Sequence, residues 1–206
     1  MPYSEHHKQQ SRERILSSAY KLFSSRGFDS VSINEIMADA GMTRGGFYAH
    51  FTNKNELYRE SILYAANASR ATRPKTDDID EKGWVLTLLQ AYLSNENVSG
   101  NCACPLASLA NDVTVREPEV REAYTNTFKG LNSVIESYVK AFSTSSSDTL
   151  LATTAMMIGG LAVARALDDD ALAERLLNSC RVEAQSLLEG ESNISGVSGS
   201  IQKHGE

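Results

Sequence analysis

Residues 32–56 read SINEIMADAGMTRGGFYAHFTNKNE, and this stretch decides the fold of the N-terminal part of the chain. Ser32 and Glu35 have the spacing of a capping box, which predicts the start of a helix. Gly41 interrupts the apolar repeat of that helix and permits the positive φ of a tight turn. Thr43 is expected to cap a second short helix, from about Arg44 to His50. Two short helices joined by a glycine-containing turn predict a helix-turn-helix, whose second helix enters the major groove of DNA.

Helical periodicity dominates the rest of the sequence, without an extended alternating strand pattern. It predicts an all-α fold with an N-terminal three-helix helix-turn-helix domain at 1–53. A C-terminal helical domain for ligand binding and dimerisation is predicted at 54–189, and a disordered tail at 190–206. The predicted helices are 8–26 (ended by Gly27), the two helices above, a helix from Asn53 and Glu56 to about Arg70, and further helices near 79–95, 105–112, 118–142, 149–167 and 169–189. Pro74–Asp78 is predicted as a linker and Asn95–Asn101 as a loop, with Pro105, Pro118 and Asp168–Asp170 at helix starts.

The composition is that of a soluble protein, with 41% hydrophobic and 22% charged residues among 206. Residues 1–61 carry eight basic and seven acidic residues, and residues 62–206 carry twelve and nineteen, so the net charges are +1 and −7. This asymmetry fits a chain whose first third approaches phosphates. The polar N-terminus lacks an apolar signal segment, and the apolar run from Leu150 to Ala164 suits a buried helix better than a membrane span. A cytoplasmic protein without membrane association is expected.

The helix-turn-helix reading assigns different contacts to different residues. Arg44 is the candidate for reading a guanine edge, with a phosphate contact as the alternative. Tyr48 and Lys54 are expected to contact the DNA backbone, and His50 either contacts DNA or is a solvated surface residue. Gly45 and Gly46 each cost about 1 kcal/mol in a helix interior, so they indicate close approach to DNA or, alternatively, to the preceding helix. The predicted DNA-binding residues are Ser32, Thr43, Arg44, Gly45, Gly46, Tyr48, His50 and Lys54, whereas Phe47 and Phe51 are expected to form the core.

The stretch from Arg14 to Leu57 resembles the DNA-binding domain of the tetracycline-repressor (TetR/AcrR) family. The resemblance implies about nine helices, of which the last two form a four-helix bundle in a homodimer. It also implies a double-stranded operator with two-fold character, and release of a repressor when a small-molecule effector binds between the middle helices. The matching residues are Ile15, Ala19, Phe23, Arg26, Gly27, Phe28, Ser32, Ile36, Gly41, Gly45, Phe47, Tyr48, Phe51, Lys54 and Leu57.

Two sets of C-terminal residues are candidates for the interface and the ligand pocket. Apolar faces on the last two helices predict a two-fold interface, with burial inside one chain as the alternative. Aromatic and methionine residues on the middle helices are candidates for the ligand pocket or, more ordinarily, for the core. The predicted interface comprises Leu150, Thr154, Met157, Ile158, Leu161, Leu172, Leu176, Cys180, Ala184 and Leu187, with Gly160 and Ala164 permitting close approach. The predicted pocket comprises Trp84, Leu88, Tyr92, Cys102, Cys104, Tyr124, Phe128 and Met156.

The three cysteines exclude a disulfide framework and fit a reducing compartment. Cys104 is expected at a helix N-terminus, which would lower its thiol pKa and make it a candidate sensor of oxidants or electrophiles. The alternative is a small buried apolar residue. Cys102 and Cys104 alone supply two of the four ligands of a structural zinc site, so neither a metal nor a cofactor is expected.

Other classes of function have less support in the sequence. It contains no nucleophile elbow, phosphate-binding glycine loop or histidine pair at metal spacing, so an enzyme is not expected. A helical interaction protein that no longer binds DNA specifically remains the alternative to a regulator.

Overall fold

A computed structural model describes residues 5–68, 76, 78–99 and 104–190, and all the regular elements in these ranges are helices. This confirms the all-α fold class. Ten α-helices and one 3-10 helix occur there, more than the nine that the family resemblance implies. In chain order they are α1 (Glu5–Arg26), α2 (Ile33–Asp39), the 3-10 helix Arg44–Ala49 (the 44–49 helix), α3 (Lys54–Ala68), α4 (Glu81–Tyr92), α5 (Asn95–Ser99), α6 (Pro105–Ser108), α7 (Ala110–Val113), α8 (Pro118–Val139), α9 (Ser147–Ala166) and α10 (Asp170–Glu189).

The first two helices follow the signals in the sequence. Gly27, which follows α1, has a φ of 76°. At the start of α2 the Ser32 hydroxyl accepts from the Glu35 amide at 3.2 Å, and the Glu35 carboxylate accepts from the Ser32 amide at 2.8 Å, so the capping box is confirmed. Gly41 has a φ of 67°, and an added Cβ would lie 2.9 Å from the Arg14 guanidinium. The positive φ therefore favours glycine at this turn, whereas the arginine side chain is long and flexible enough to shift.

Thr43 occupies the N-cap position of the 44–49 helix, as predicted, but the predicted capping bond is missing. The Thr43 side chain makes no capping hydrogen bond, and the element that follows is a 3-10 helix. It is closed by short-range bonds, from the Gly46 amide to the Thr43 carbonyl and from the His50 amide to the Phe47 carbonyl. Two adjacent glycines disfavour a regular α-helix over so short a segment.

The start of α3 differs in one detail from the predicted cap. The Asn53 side chain accepts from the Glu56 amide at 2.8 Å, as predicted. The Glu56 carboxylate returns to the amide and hydroxyl of Thr52, both at 2.6 Å, and not to the Asn53 amide.

The segment from Asn95 to Ser99 is a short helix, so the predicted loop is wrong there. The Asn97 side-chain amide donates to the carbonyls of Ala91 and Tyr92 at the end of α4. The Arg165 guanidinium of α9 donates to the carbonyls of Asn97 and Val98. These bonds satisfy carbonyls that a helix end otherwise leaves free. The contact from Arg165 spans more than sixty residues, which local sequence patterns do not reveal.

The single helix predicted at 105–112 is divided at Leu109. Leu106 and Ala107 on the N-terminal side pack into the C-terminal core, whereas Leu109 and Val113 pack into the N-terminal core. The chain therefore changes direction at Leu109, where φ is −117° and ψ is 2°. Pro105 and Pro118 occupy first-turn positions as predicted.

Two buried clusters account for the architecture. The N-terminal core contains buried residues of α1, α2, the 44–49 helix and α3, joined by Leu109, Val113 and Val120. The C-terminal core contains residues of α4, α6, α8, α9 and α10. Helix α3 packs in the N-terminal core and also against α8, so it connects the two halves. The domain limits at 53 and 189 stay predictions. Positions 74, 75 and 77 of the predicted linker and the whole tail beyond Gly190 lie outside the described residues.

Helix α9 is long and apolar enough to cross a membrane by length and composition alone. Its buried face, which includes Met157 and Leu161, packs into the C-terminal core. That packing is what the sequence reading of a buried helix predicts.

Candidate nucleic-acid interface

The 44–49 helix presents one face outward. Arg44 and Gly45 are exposed, and Tyr48 is 63% exposed. The Arg44 side chain makes no hydrogen bond or ion pair with the described part of the chain. An added Cβ at Gly45 would meet nothing within 4 Å, whereas one at Gly46 would touch the methyl groups of Met37 and Met42 at 3.6 Å. Gly45 therefore suits close approach by another molecule, and Gly46 suits the alternative of packing against α2.

The opposite face of this helix is anchored in the N-terminal core. Phe47 is 0% exposed and Phe51 is 2% exposed, which confirms their predicted core role. Their ring centroids lie 5.8 Å apart, and the Arg12 guanidinium of α1 lies 4.9 Å from the Phe51 ring centroid. Burial on one side fixes which residues face outward on the other.

The other predicted DNA-contacting residues surround this face, and they differ in exposure and in the hydrogen bonds that they already make. The Thr43 hydroxyl is exposed and the Ser32 hydroxyl is already bonded to the Glu35 carboxylate at 2.7 Å. His50 is half-buried, and its Nδ1 atom is buried without a hydrogen-bond partner among the described residues. Burial, reinforced by the nearby positive charges of Lys8 and Arg12, lowers the pKa of His50. His50 therefore favours the neutral form at pH 7.

Lys54 has a structural role that the sequence did not indicate. Its ammonium group donates to the Phe28 carbonyl and lies 4.1 Å from the Phe28 ring centroid. The Arg116 guanidinium lies 4.5 Å from the centroid of the same ring. Two cations thus contact Phe28, in a cation–π arrangement that joins the loop before α2 to the segment before α8. Burial lowers the pKa of Lys54.

A polar junction beside Phe28 links the two halves of the chain. The Tyr58 hydroxyl donates to the Asp112 carboxylate at 2.5 Å. Arg116 donates to Asp112 at 3.1 Å and to Asp29 at 2.7 Å and 3.2 Å. Hydrogen bonding to Arg116 holds the pKa of Asp29 below its ordinary value. We call Asp29, Tyr58, Asp112 and Arg116 the interdomain junction; sequence reasoning missed it because Asp29 and Arg116 are 87 positions apart.

Comparison with known proteins identifies this architecture. The profile described as bacterial regulatory proteins, tetR family, matches residues 15–61. AcrR of Shigella flexneri is 46% identical over 52 residues, which cover 25% of this chain and 24% of AcrR. LmrA of Bacillus subtilis is 28% identical over 166 residues, which cover 73% of this chain and 84% of LmrA. Both are named as HTH-type transcriptional regulators.

The chain belongs to the TetR/AcrR family. It is a helix-turn-helix, DNA-binding transcriptional regulator, as the sequence predicted. Solved structures support the fold: reduced NemR of E. coli has a TM-score of 0.72 at 18% identity, covering 85% of this chain and 95% of NemR. A TetR regulator from Chloroflexus aurantiacus has a TM-score of 0.69 at 20% identity, covering 86% and 93%.

One cavity of this TetR-family chain contains two of the predicted pocket residues. It has a volume of about 190 Å³ and lies between α3, α4, the start of α6 and α8. Tyr92 and Cys104 line it, together with Gly130 and Leu131, which the sequence analysis did not select. Trp84, Leu88, Tyr124, Phe128 and Met156 do not line this cavity and instead lie in or against the C-terminal core. Cys102 lies outside the described residues.

Two of those core residues show why aromatic spacing alone is a weak indication of a pocket. The Trp84 ring stacks on Tyr138 with centroids 4.0 Å apart. The Tyr124 hydroxyl donates to the Leu106 carbonyl at 2.7 Å. Both side chains are therefore used in packing.

The expected low pKa of Cys104 is wrong. Cys104 does precede α6, but burial raises the pKa of its thiol. Hydrogen bonds from Tyr92 and from the amides of Leu106 and Ala107 oppose that effect without reversing it. Because α6 has only four residues, its N-terminus gives little compensation for the lost solvent. The thiol is therefore less nucleophilic at neutral pH than the sequence suggested.

The predicted dimer interface needs correction for five of its ten residues. Leu150, Thr154, Met157, Leu161 and Ala184 are each at most 4% exposed within one chain, where a second copy cannot reach them. The apolar repeat from which the interface was predicted belongs to the helix faces that pack in the C-terminal core. For Ile158, Leu172, Leu176, Cys180 and Leu187, which are half-buried or exposed, the interface stays a prediction.

The exposed face of α9 is apolar instead. Leu151, Ala155, Gly159 and Val163 are all exposed and follow one another at intervals of four residues, which we call the α9 stripe. Leu151 is 43% exposed and Val163 is 51% exposed. Gly160, by contrast, is buried against Cys180 of α10, where an added Cβ would lie 2.8 Å from the sulfur. It permits the predicted close approach, but between helices of the same chain.

Proposed function

We propose that this regulator is a cytoplasmic homodimeric repressor that binds an operator of two-fold character and leaves it when a small-molecule effector binds. The observation that carries the proposal is the 44–49 helix, which is fixed from behind by Phe47 and Phe51 and exposes Arg44, Gly45 and Tyr48. An exposed short helix with an arginine at its first position fits the major groove.

The geometry supports a different role for each of the DNA-facing residues. Arg44 reads a guanine edge, because an unpaired guanidinium can form two parallel hydrogen bonds to that base. Gly45 lets the backbone approach the groove. Tyr48 and Thr43 contact phosphates. Ser32, Gly46 and His50 contribute by position, because each already has contacts within the N-terminal core or its caps. Lys54 packs on Phe28 and has further N–H donors with which it contacts a phosphate.

Dimerisation through the α9 stripe follows from its composition. Four apolar or small residues in a row face solvent on a helix whose other side is in the core. A two-fold contact would bury this stripe against its own copy, and Gly159 would let the two helices approach closely, because an added Cβ there meets nothing within 4 Å. The pair would present two 44–49 helices to half-sites about one helical turn apart.

DNA recognition is tested with genomic fragments selected by the purified protein and then measured by fluorescence anisotropy. Arg44→Ala is expected to weaken binding to the selected sequence by about 1–3 kcal/mol and to relax its specificity. Lys54→Ala is expected to weaken binding to all sequences and to reduce the salt dependence. Arg175→Ala, which removes an exposed arginine from α10, is the matched control and should change neither.

Two outcomes would contradict the DNA assignment. Equal loss on every DNA for Arg44→Ala and Lys54→Ala would show that the roles are wrongly assigned. Affinity independent of sequence in the unsubstituted protein would favour a helical interaction protein instead.

The dimer is tested by light scattering after gel filtration. Val163→Glu puts a charge in the α9 stripe and is expected to give monomers with greatly weakened operator binding, because a buried unpaired charge is costly. Val115→Glu is the matched control, since Val115 is 74% exposed and lies outside α9 and α10. A dimer that persists in Val163→Glu would place the interface elsewhere.

A further inference from the structure

Arg116 makes contacts on both sides of the junction between the two halves of the chain. On its own side, its guanidinium donates to the Asp112 carboxylate at 3.1 Å and to the Asp112 carbonyl at 3.2 Å. On the other side, it donates to the two carboxylate oxygens of Asp29 at 3.2 Å and 2.7 Å. The Asp112 carboxylate also accepts from the Tyr58 hydroxyl at 2.5 Å. The Arg116 side chain is 11% exposed, so its orientation is fixed from both directions.

The loop that Arg116 holds leads into the DNA-binding face. Asp29 and Phe28 belong to the loop between α1 and α2. The Phe28 ring centroid lies 4.5 Å from the Arg116 guanidinium and 4.1 Å from the Lys54 ammonium. The same ring stacks on Phe23 of α1 with centroids 5.6 Å apart. A residue of the C-terminal half and the lysine assigned to a phosphate contact therefore share one ring that is held in the N-terminal core.

Apolar contacts between the halves are of a different kind. Leu109, Val113 and Val120 insert their side chains into the N-terminal core. Apolar burial is non-directional, so it holds two surfaces together with little control over the angle between them. A bidentate pair between a guanidinium and a carboxylate has a set geometry. The pair of Arg116 with Asp29 is therefore suited to fix the angle that the apolar contacts leave open.

Stability does not account for this ion pair. The Asp29 side chain is 78% exposed, and a pair that is so exposed on one side adds little to the free energy of unfolding. Two parallel hydrogen bonds nevertheless restrict the angle between the groups that they join. Because Asp112 already orients the guanidinium, little further side-chain freedom is lost when Asp29 pairs with it. The arrangement therefore fits a role in geometry better than a role in stability.

The angle between the halves matters to a dimer on DNA. Each 44–49 helix has to reach one half-site, and the two half-sites lie about one helical turn apart. One added base pair moves a half-site by about 3.4 Å along the DNA and rotates it by about 35°. A dimer whose DNA-binding halves are fixed in angle tolerates such a change poorly, whereas a dimer with loosely held halves follows it.

We propose that Arg116 is a positioning residue for DNA binding: through its pair with Asp29 and its contact with Phe28, it fixes the orientation of the DNA-binding half and thereby the half-site separation that the dimer accepts. Arg116 acts through the loop before α2 and does not itself contact DNA. This inference rests on the homodimer and the two-fold operator proposed above.

The first test compares operators of altered spacing. One base pair is inserted or removed between the half-sites of the selected operator, and the resulting loss of affinity, measured by fluorescence anisotropy, is the spacing penalty. The unsubstituted protein should show a penalty of roughly tenfold or more, because a misplaced half-site loses base contacts. Asp29→Ala and Arg116→Lys should each reduce the penalty about threefold or more, because the DNA-binding half is no longer preorganised. Arg116→Lys keeps the positive charge and loses the bidentate geometry.

The spacing penalty is a ratio, which removes effects that act equally on all DNA. Asp29→Ala deletes a negative charge and should strengthen binding to every DNA through the phosphates, but this change cancels. Asp39→Ala is the matched control. It deletes a negative charge from the same half and breaks a 2.8 Å ion pair with Lys21 that does not cross between the halves, so its penalty should equal that of the unsubstituted protein. Urea unfolding verifies that each variant folds.

A second measurement needs no DNA. A nitroxide on an unnatural amino acid in place of Asn34, an exposed residue of α2, leaves the cysteines unmodified. Double electron–electron resonance on the dimer then gives the distance between the two labels, which reports the separation of the DNA-binding halves. One narrow distribution is expected for the otherwise unsubstituted protein and for Asp39→Ala. Asp29→Ala and Arg116→Lys are expected to broaden it.

Contrary results separate this inference from the proposed function. A spacing penalty that stays unchanged in Asp29→Ala and Arg116→Lys would overturn the positioning role, whatever the label distances show, and would leave the regulator intact. A loss of stability in Arg116→Lys with an unchanged penalty would show a structural role alone. An unsubstituted protein that binds every spacing equally well would overturn the fixed orientation. A monomeric mass without an inter-label distance would overturn the dimer and this inference with it.

Discussion

The N-terminal and C-terminal cores are built from the same kinds of residues, but they differ in how completely they are filled. In the N-terminal core the side chains of Phe47, Phe51 and Leu57 are nearly or fully buried, and the outward face is left to polar residues and glycine. The C-terminal core borders a cavity of about 190 Å³ that Tyr92 and Leu131 line. A rigid core suits a target of fixed shape such as duplex DNA, whereas a site for a small molecule requires space within the fold.

The largest expected effect compares one leucine from each core. Leu57→Ala removes a side chain that is 0% exposed in the N-terminal core, and Leu131→Ala removes one that is 8% exposed and borders the cavity. Within the range of about 2–5 kcal/mol for such changes, Leu57→Ala should lie near the top and Leu131→Ala near the bottom, because Leu131 already borders open space in the cavity. Urea unfolding measures both, and equal losses would remove the distinction between the cores.

A smaller effect is expected at the interdomain junction. Arg116→Ala should lower the free energy of unfolding by about 1–3 kcal/mol, because Asp112 and Phe28 lose a partner in a partly buried setting. The ion pair with Asp29 adds little, since that carboxylate is 78% exposed. Arg121→Ala, on the exposed side of α8, is the control in the same unfolding measurement. A loss no greater than that of the control would mean that the two cores are stabilised independently.

The smallest effect is a pH dependence at the start of α2. Hydrogen bonds from Ser32 lower the pKa of Glu35 from an ordinary 4.5 to about 2. The folded state therefore favours the ionised carboxylate, so its stabilising contribution is full above pH 4.5 and decreases as the pH falls toward 2. Urea unfolding at pH 5, 4 and 3 should show a shallower loss of stability in Glu35→Gln. Glu183→Gln, an exposed carboxylate of α10, should retain the slope of the unsubstituted protein.

The sequence predictions succeeded where the residues that form a feature lie close together in the chain. The capping box at Ser32 and the turn at Gly41 involve residues three or four positions apart, and both are present as predicted. The interface prediction failed at Met157 and Leu161 because a repeat of apolar residues indicates a buried face without telling which partner buries it. The same limit applies to Trp84, whose aromatic ring serves packing.

The sequence by itself determined the all-helical class, the helix-turn-helix and the residues that face outward from it, because capping, turn formation and helical periodicity act over a few neighbouring positions. Only the tertiary structure decided that Lys54 packs on Phe28, that Asp29 pairs with Arg116, that burial raises the pKa of Cys104, and that Gly130 borders a cavity. Each of these depends on segments far apart in the chain, whose relative placement is set by the packing of whole helices.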